Sequence, residues 1–302
     1  MRRVFGVGLV VVALMVGACS SPGTGNNGTA SGDKITVAAS FYPLAEAAQQ
    51  VGRDAVVVTN LTPPGVEPHD LELTPGSVSA LQSADLVVYL GGGFQPAVEE
   101  ASNDANGITL DALQDVDTND APSEEAAAEG LTVDPHVWLD PSRYITIVDE
   151  VSDALSGISP NDAEAFKANA EDFTSQLGSL DEEYRTGLAS CERHDIVTNH
   201  AAFGYLAERY GLTQVAISGL EPDAEPTPQH LAELVGLVEE KGITTIFTEE
   251  LLPPDVAETL AAEAGVSVSV LNTLETAPED GGDYFSAMRD NLNTLREALG
   301  CS

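Results

Sequence analysis

Positive charge is scarce in this chain. Its 302 residues include 12 lysines and arginines against 49 aspartates and glutamates, for a formal net charge of −37. Lys34, Lys167 and Lys241 are the only lysines. Nucleic-acid binding needs a basic face to neutralise phosphates, so that class is excluded. Aromatic residues make up 5% of the chain, too few for the ring-lined cleft expected of a binder of small organic solutes. No His-Glu-x-x-His stretch occurs, which argues against a zinc hydrolase, the enzyme reading that scattered histidines invite. The long apolar run, Val4 to Val16, falls short of the roughly 20 residues a membrane span needs. The acidic surplus keeps the protein soluble and enriches cations near its surface, but solvated carboxylates do not by themselves make a metal site.

What that apolar run does make is an export signal. It follows Met1-Arg2-Arg3 and ends in Gly17-Ala18-Cys19, the basic, apolar and small-residue order of a secretion peptide over 1–18. Val16-Gly17-Ala18-Cys19 also resembles the bacterial lipobox, whose cysteine is lipidated and becomes the mature N-terminus. Cys19 is therefore the expected lipid attachment point, with ordinary cleavage near Ala18 as the alternative. Residues 19–33, rich in Ser, Gly, Asn and Thr, read as a flexible tether to the outer face of the cell membrane. Cysteine is scarce as well. With Cys19 set aside, Cys191 and Cys301 remain, and in an exported chain one leftover pair suggests a disulfide rather than two free thiols.

Beyond the tether, strand and helix alternate at βαβ spacing, and an α/β fold of two lobes follows, each a mainly parallel sheet flanked by helices. The first lobe spans 34–158, with strands expected at Ile35 to Ser40, Ala55 to Val58, Asp85 to Leu90 and Ile108 to Leu110. The second spans 191–302, with strands at Asp195 to Thr198, Gln214 to Ile217, Ile243 to Thr248 and Val266 to Leu271. Between them, over 159–190, Ala163, Phe166, Ala170, Phe173, Leu177, Leu180, Tyr184 and Leu188 recur at steps of three and four. That stripe predicts one long rigid helix from Ser159-Pro160 joining the lobes, with a coiled-coil segment as the competing reading. The acidic, alanine-rich segment 114–129 reads as a mobile surface loop with no part in a site.

Three of the five histidines fall where an imidazole would be held in place. His69, in Pro68-His69-Asp70, lies in the loop after the second strand. His200 sits just past the strand ending at Thr198. In open parallel sheets ligands bind at the carboxyl ends of strands. His136 stands in Asp134-Pro135-His136-Val137-Trp138-Leu139-Asp140-Pro141, beside the only tryptophan and just before an Asp-Pro helix start. A single such histidine is more often a packed core residue. Three of them, with one oxygen ligand, suit zinc, whereas manganese favours more carboxylate. His194, ahead of its strand, and His230, on a helix, are expected to be structural or solvated.

The same residues resemble a known family. The Asp134 to Pro141 stretch, Asn199-His200-Ala201-Ala202-Phe203-Gly204-Tyr205-Leu206 with Arg209-Tyr210-Gly211-Leu212, and the supporting Glu225-Pro226 and Asp283-Tyr284 to Leu292 runs resemble the metal-binding lipoproteins of bacterial zinc and manganese ABC uptake systems, in the ZnuA-like zinc branch. The resemblance covers about Ile35 to Leu299. It implies a monomeric extracytoplasmic solute-binding protein, not an enzyme, which captures Zn²⁺ between two lobes and passes it to a membrane permease driven by a cytoplasmic ATPase. His69, His136 and His200 would be the metal ligands. Manganese-selective relatives usually carry a carboxylate where His200 stands, so the resemblance favours Zn²⁺, with Mn²⁺ as the alternative cargo. A surface adhesin is the alternative role. Two departures matter. The histidine-rich loop of many zinc members is absent. The fourth ligand, a carboxylate near the last strand, is best matched by Glu275, with Glu67 or a water as alternatives.

Overall fold

The computed structural model describes residues 34–120, 130–222, 226–278 and 281–302. The expected signal peptide 1–18, the tether 19–33 with Cys19, Glu225 and residues 121–129 of the acidic segment lie outside the described residues. No helix among those described is long and apolar enough to cross a membrane.

Two four-stranded sheets organise Lys34 to Ser302. The first contains β1 (Ile35–Ala39), β2 (Val56–Asn60), β3 (Leu86–Tyr89) and β4 (Ile108–Asp111) in the order β2-β1-β3-β4. The second contains β5 (Asp195–Thr198), β6 (Thr213–Ala216), β7 (Thr245–Thr248) and β8 (Ser267–Val270) in the equivalent order β6-β5-β7-β8. Every pairing within the sheets is parallel. Strands such as Leu86-Val87-Val88 are buried on both faces, as a parallel sheet covered by helices requires. The crossovers run through α1 (Tyr42–Gly52), α2 (Pro75–Ser83) and α3 (Pro96–Ser102) in the first lobe. In the second they run through α6 (Gly204–Tyr210), α7 (Pro228–Lys241) and α8 (Asp255–Ala264).

Local chemistry sets several of these helix starts. Thr74 and Thr227 each place a hydroxyl on the backbone N–H three residues on, Ser77 and His230, with proline in the first turn. Asp140 accepts from the Ser142 N–H at 2.8 Å ahead of Pro141. Each such N-cap is worth about 1 kcal/mol, and the one at Asp140 is the helix start that the sequence predicts.

One long helix joins the lobes. α4 (Pro141–Ile158) leads into α5 (Ala163–Gly187), a helix of 25 residues and so about 37 Å long. α5 begins at Ala163 rather than at Ser159-Pro160. The Asp162 N–H donates to the Ser159 carbonyl and the Ser159 hydroxyl to the Asp162 carboxylate, making a turn that folds α5 back on α4. The apolar stripe is buried within the chain: Phe166, Ala170, Phe173, Leu177, Leu180 and Tyr184 all belong to the main core. Towards its start α5 is fastened to α1, through Asn169 to the Val51 carbonyl. Towards its end it is fastened to the final helix α9 (Tyr284–Leu299), through Tyr184 to the Met288 carbonyl at 2.6 Å. It also meets α6, where Arg209 bridges Asp181 at 2.6 Å and Asp140 at 3.2 Å. Cys191 and Cys301 form a disulfide between the segment after α5 and the end of α9.

A candidate metal centre

The two sheets have their inner strands at β1/β3 and β5/β7, where successive crossovers leave in opposite directions. The carboxyl ends of such strands open a crevice. His200 lies two residues beyond β5, and Glu249 follows β7 directly. His69 is held in the loop after β2. Its N–H donates to the Glu67 carboxylate at 3.2 Å, and Gln95 donates to the Pro68 carbonyl at 3.1 Å. His136 is fixed by Asp134, whose Oδ1 accepts both the His136 backbone N–H at 3.0 Å and ring Nδ1 at 2.8 Å. A 3-10 turn over Val137–Leu139 then leads to the Asp140 cap.

Glu275 comes from the loop after β8, and its backbone is unusual. Leu274, just before it, has φ of +57°, a left-handed conformation that costs a branched residue roughly 1–2 kcal/mol. Three contacts hold it there. Asn272 accepts from the Leu274 N–H at 2.7 Å, Trp138 donates to the Thr273 carbonyl at 2.7 Å, and the Leu274 side chain is fully buried. The tryptophan beside His136 thus also pins the loop that carries Glu275.

These elements bring His69, His136, His200 and Glu275 together, with one ligand atom from each lying within 4.8 Å of all the others. His136 Nε2 and His200 Nε2 are 3.2 Å apart. Glu275 Oε1 lies 3.7 Å from His69 Nε2 and 3.6 Å from each of the other two Nε2 atoms. A tetrahedral zinc with bonds of about 2.0–2.1 Å would space its ligands about 3.3–3.4 Å apart. All four residues are buried, and both ring nitrogens of His69 and Glu275 Oε1 have no hydrogen-bond partner. Buried polar atoms left this way are costly unless something shared lies between them, and a cation at the centre of the cluster would satisfy His69 Nε2 and Glu275 Oε1 together.

Behind each imidazole stands a carboxylate that sequence reasoning did not single out. Asp134 meets His136 Nδ1 at 2.8 Å, Glu249 meets His200 Nδ1 at 2.6 Å, and Glu221 stands 3.5 Å from His69 Nδ1. Such partners fix the tautomer so that Nε2 faces the metal, and they raise ligand basicity. Electrostatics follow from this packing. Burial acts to lower the pKa of His69, but Glu221 and Glu275 outweigh it and raise it to about 9. Burial opposes the charged form of His200 too, and Glu249 and Glu275 again prevail, holding it well above the ordinary value. Burial works to raise Glu275, yet the three imidazoles hold it well below the carboxylate range. Burial and the Glu275 charge push Glu67 up to about 7. Phe94 packs edge-on against His69 at 4.7 Å, and Trp138 lies 5.3 Å from His136, which closes the site on the first-lobe side.

His194 and His230 stay outside the cluster. His194 is exposed with Nδ1 at its neighbour's carbonyl, and His230 Nε2 lies 3.3 Å from the Ala216 carbonyl.

Comparison with known proteins places this geometry in context. Residues 37–298 match the family model described as "Zinc-uptake complex component A periplasmic", ZnuA. The high-affinity zinc uptake system protein ZnuA of Bacillus subtilis is 35% identical over 309 residues, 97% of each chain. The chain belongs to this family. The zinc-binding lipoprotein AdcA of Streptococcus pneumoniae is 38% identical over 94% of the chain, which spans 58% of that longer protein. Among solved structures, the Zn(II)-bound ZnuA-like domain of Streptococcus pneumoniae AdcA superposes with a TM-score of 0.75 at 38% identity, covering 88% of this chain and 99% of that one. The two-lobed, parallel-sheet architecture is thus that of the ZnuA family.

The carboxylate behind His200 gives a direct test. Replacing Glu249 with Gln is expected to weaken zinc binding about 10–100-fold, measured by competition with a chromophoric chelator. The loss should be largest at high pH, where the His200 imidazole is neutral with or without Glu249. Near neutrality the same carboxylate also strengthens the proton's hold on His200, and the two effects partly offset. An affinity unchanged at high pH would show that Glu249 does not support the ligand.

Proposed function

We propose that this chain is the extracytoplasmic solute-binding protein of an ABC uptake system for Zn²⁺, with His69, His136, His200 and Glu275 as ligands and Cys19 as lipid anchor. The cargo passes to a membrane permease powered by a cytoplasmic ATPase, and the protein is not an enzyme. The observation that carries this reading is the convergence of three imidazoles and one carboxylate in a buried cluster, with His136 Nε2 and His200 Nε2 3.2 Å apart and Glu275 Oε1 3.6–3.7 Å from all three Nε2 atoms. Zinc rather than manganese fits, because three imidazoles and four close-spaced donors suit a tetrahedral nitrogen-rich ion, whereas manganese favours six oxygen-rich ligands. An enzyme would need an open coordination position and a general base. Here the fourth position is taken by Glu275, and the neighbouring carboxylates Asp134 and Glu249 are engaged with the imidazoles.

Release follows from how the site is held. α5 is fastened towards both of its ends, and Arg209 ties α6 to Asp140 and Asp181, so wide rotation of the lobes is resisted. Local movement of the Glu275 loop, strained at Leu274, opens the site instead. Competition titration of the purified soluble domain tests the assignment: one zinc per chain, held far more tightly than manganese, is the expected result. Manganese bound as tightly as zinc would overturn it.

Proton release gives a second, independent reading. Without metal, His69 and His200 are protonated at neutral pH, since both are held above their ordinary value. Imidazole binds metal only when neutral, so zinc must displace those protons, about two per ion near pH 7. Affinity should therefore keep rising with pH past the free-histidine value of about 6.5 and through about 9, where His69 titrates. The metal-free protein should show the converse. A pKa raised by folding stabilises fully below about 6.5 and is lost as pH climbs through the folded value. Calorimetry in buffers of different ionisation enthalpy counts the protons. None released at pH 7 would contradict the electrostatics.

A further inference from the structure

Gly204 opens α6 with a negative φ, so no backbone constraint requires glycine there. Glycine there still loses more backbone freedom on folding than alanine would. What the position lacks is room. A Cβ built on Gly204 would stand 2.9 Å from Asp134 Oδ2, with Gln214 Oε1 next at 3.8 Å. The other oxygen of the same carboxylate, Oδ1, holds the His136 backbone N–H and Nδ1.

Asp134 has little freedom to yield. Its N–H donates to the Asn119 carbonyl at 3.1 Å, and its carbonyl accepts from the Tyr205 hydroxyl at 2.7 Å. Tyr205 is itself tied to the Asn119 N–H at 2.9 Å and lies under the Arg143 guanidinium. With the backbone pinned, the carboxylate can move away from a new methyl group only by turning about its own side-chain bonds. That turn carries Oδ1 off the imidazole. Beyond Oδ2 a hollow of about 430 Å³, lined by Asn119, Ala201, Gly204 and Gln214 among others, leaves the glycine as the close wall on that side.

We infer that Gly204 is a positioning residue for metal capture: by having no side chain it lets the Asp134 carboxylate seat against α6 and orient His136 Nε2 at the metal. The inference rests on the zinc-binding reading above and extends it from the ligands and their carboxylates to the helix behind one of them.

A mutant cycle tests it. Gly204→Ala should weaken zinc binding about tenfold, at the low end for loss of a partner that orients a ligand. The thermal midpoint of the metal-free protein should fall no further than that of D134A. In a D134A background the added methyl has nothing to meet, so G204A should change affinity less than about twofold, a coupling that independent sites do not show. Nitrogen NMR of the metal-free protein adds an arm that needs no zinc, because the His136 Nδ1 resonance should move in G204A towards its position in D134A. If G204A fails to fold, the G204A/D134A chain should fold as D134A does. The inference is overturned by a G204A affinity within twofold of wild type, by equal losses in both backgrounds, by an unmoved Nδ1 resonance, or by a double mutant that also fails to fold. A wild-type protein that binds no zinc would sink the transport reading separately, while the NMR arm still reports on Gly204 and Asp134.

Discussion

Replacing His200 with alanine should weaken zinc binding by about two to three orders of magnitude. Zinc held in structural protein sites is worth about 10–16 kcal/mol over four ligands, so each ligand carries about 3–4 kcal/mol, or about 10²–10³-fold in affinity. His200 serves this test well because its two ring nitrogens have different partners. Nε2 faces His136 and Glu275, while Nδ1 meets Glu249 at 2.6 Å. Losing the imidazole therefore also leaves Glu249, 5% exposed, without its counter-charge. Removing one partner of a buried ion pair costs about 3–5 kcal/mol unless the survivor takes up a proton. The zinc-free variant should accordingly melt lower than wild type. Competition titration and thermal melts read both effects. A variant that keeps wild-type zinc affinity would remove His200 from the ligand set.

The second large effect concerns stability rather than metal. Breaking the Cys191–Cys301 disulfide by the double substitution to serine should destabilise the protein by about 2–5 kcal/mol. The bridge joins residues 110 apart in sequence, so it encloses nearly the whole second lobe, and cross-linking so long a loop removes much of the unfolded chain's freedom. For a chain of this size that lowers the melting midpoint by about 10 °C. Zinc affinity should hardly change. Cys191 precedes β5 while His200 and Glu275 follow the carboxyl ends of β5 and β8, so the bridge lies at the opposite end of these strands. The backbone there is also held independently, because the N–H groups of Glu192 and Arg193 both donate to the Leu299 carbonyl at 3.1 Å. A melting midpoint unchanged on reduction would show that the bridge adds nothing to stability.

Much of this architecture can be read directly from the chain. Alternating apolar strands and capped helices announce two parallel sheets, and Thr74-Pro75, Asp140-Pro141 and Thr227-Pro228 mark helix starts because a hydroxyl or carboxylate followed by proline suits few other structures. The placement of His69 and His200 follows from the rule that ligands gather where strands end. The same rule could have found Glu249, which follows β7 as directly as His200 follows β5. It did not stand out because one carboxylate among 49 acidic residues carries little signal by itself. Asp134 and Glu221 were hidden for the same reason, and their pairing with particular imidazoles is set by packing between segments far apart in sequence. The fourth member of the cluster was hard to read for a different cause. Glu275 reaches the site only because Leu274 adopts a left-handed backbone, which nothing in its residue type announces. The start of α5 moved from Ser159 to Ala163 because Ser159 and Asp162 bond to each other, a local turn that helical periodicity does not report.

The most direct test of the central claim is the X-ray absorption spectrum of the soluble domain loaded with one equivalent of zinc. Four side chains meeting on one ion predict a shell of about four nitrogen and oxygen atoms at about 2.0–2.1 Å, with the outer-shell scattering of three imidazoles. A six-coordinate oxygen shell without imidazole scattering would contradict the account, and placing the zinc among surface carboxylates would leave His69, His136, His200 and Glu275 without a shared ion.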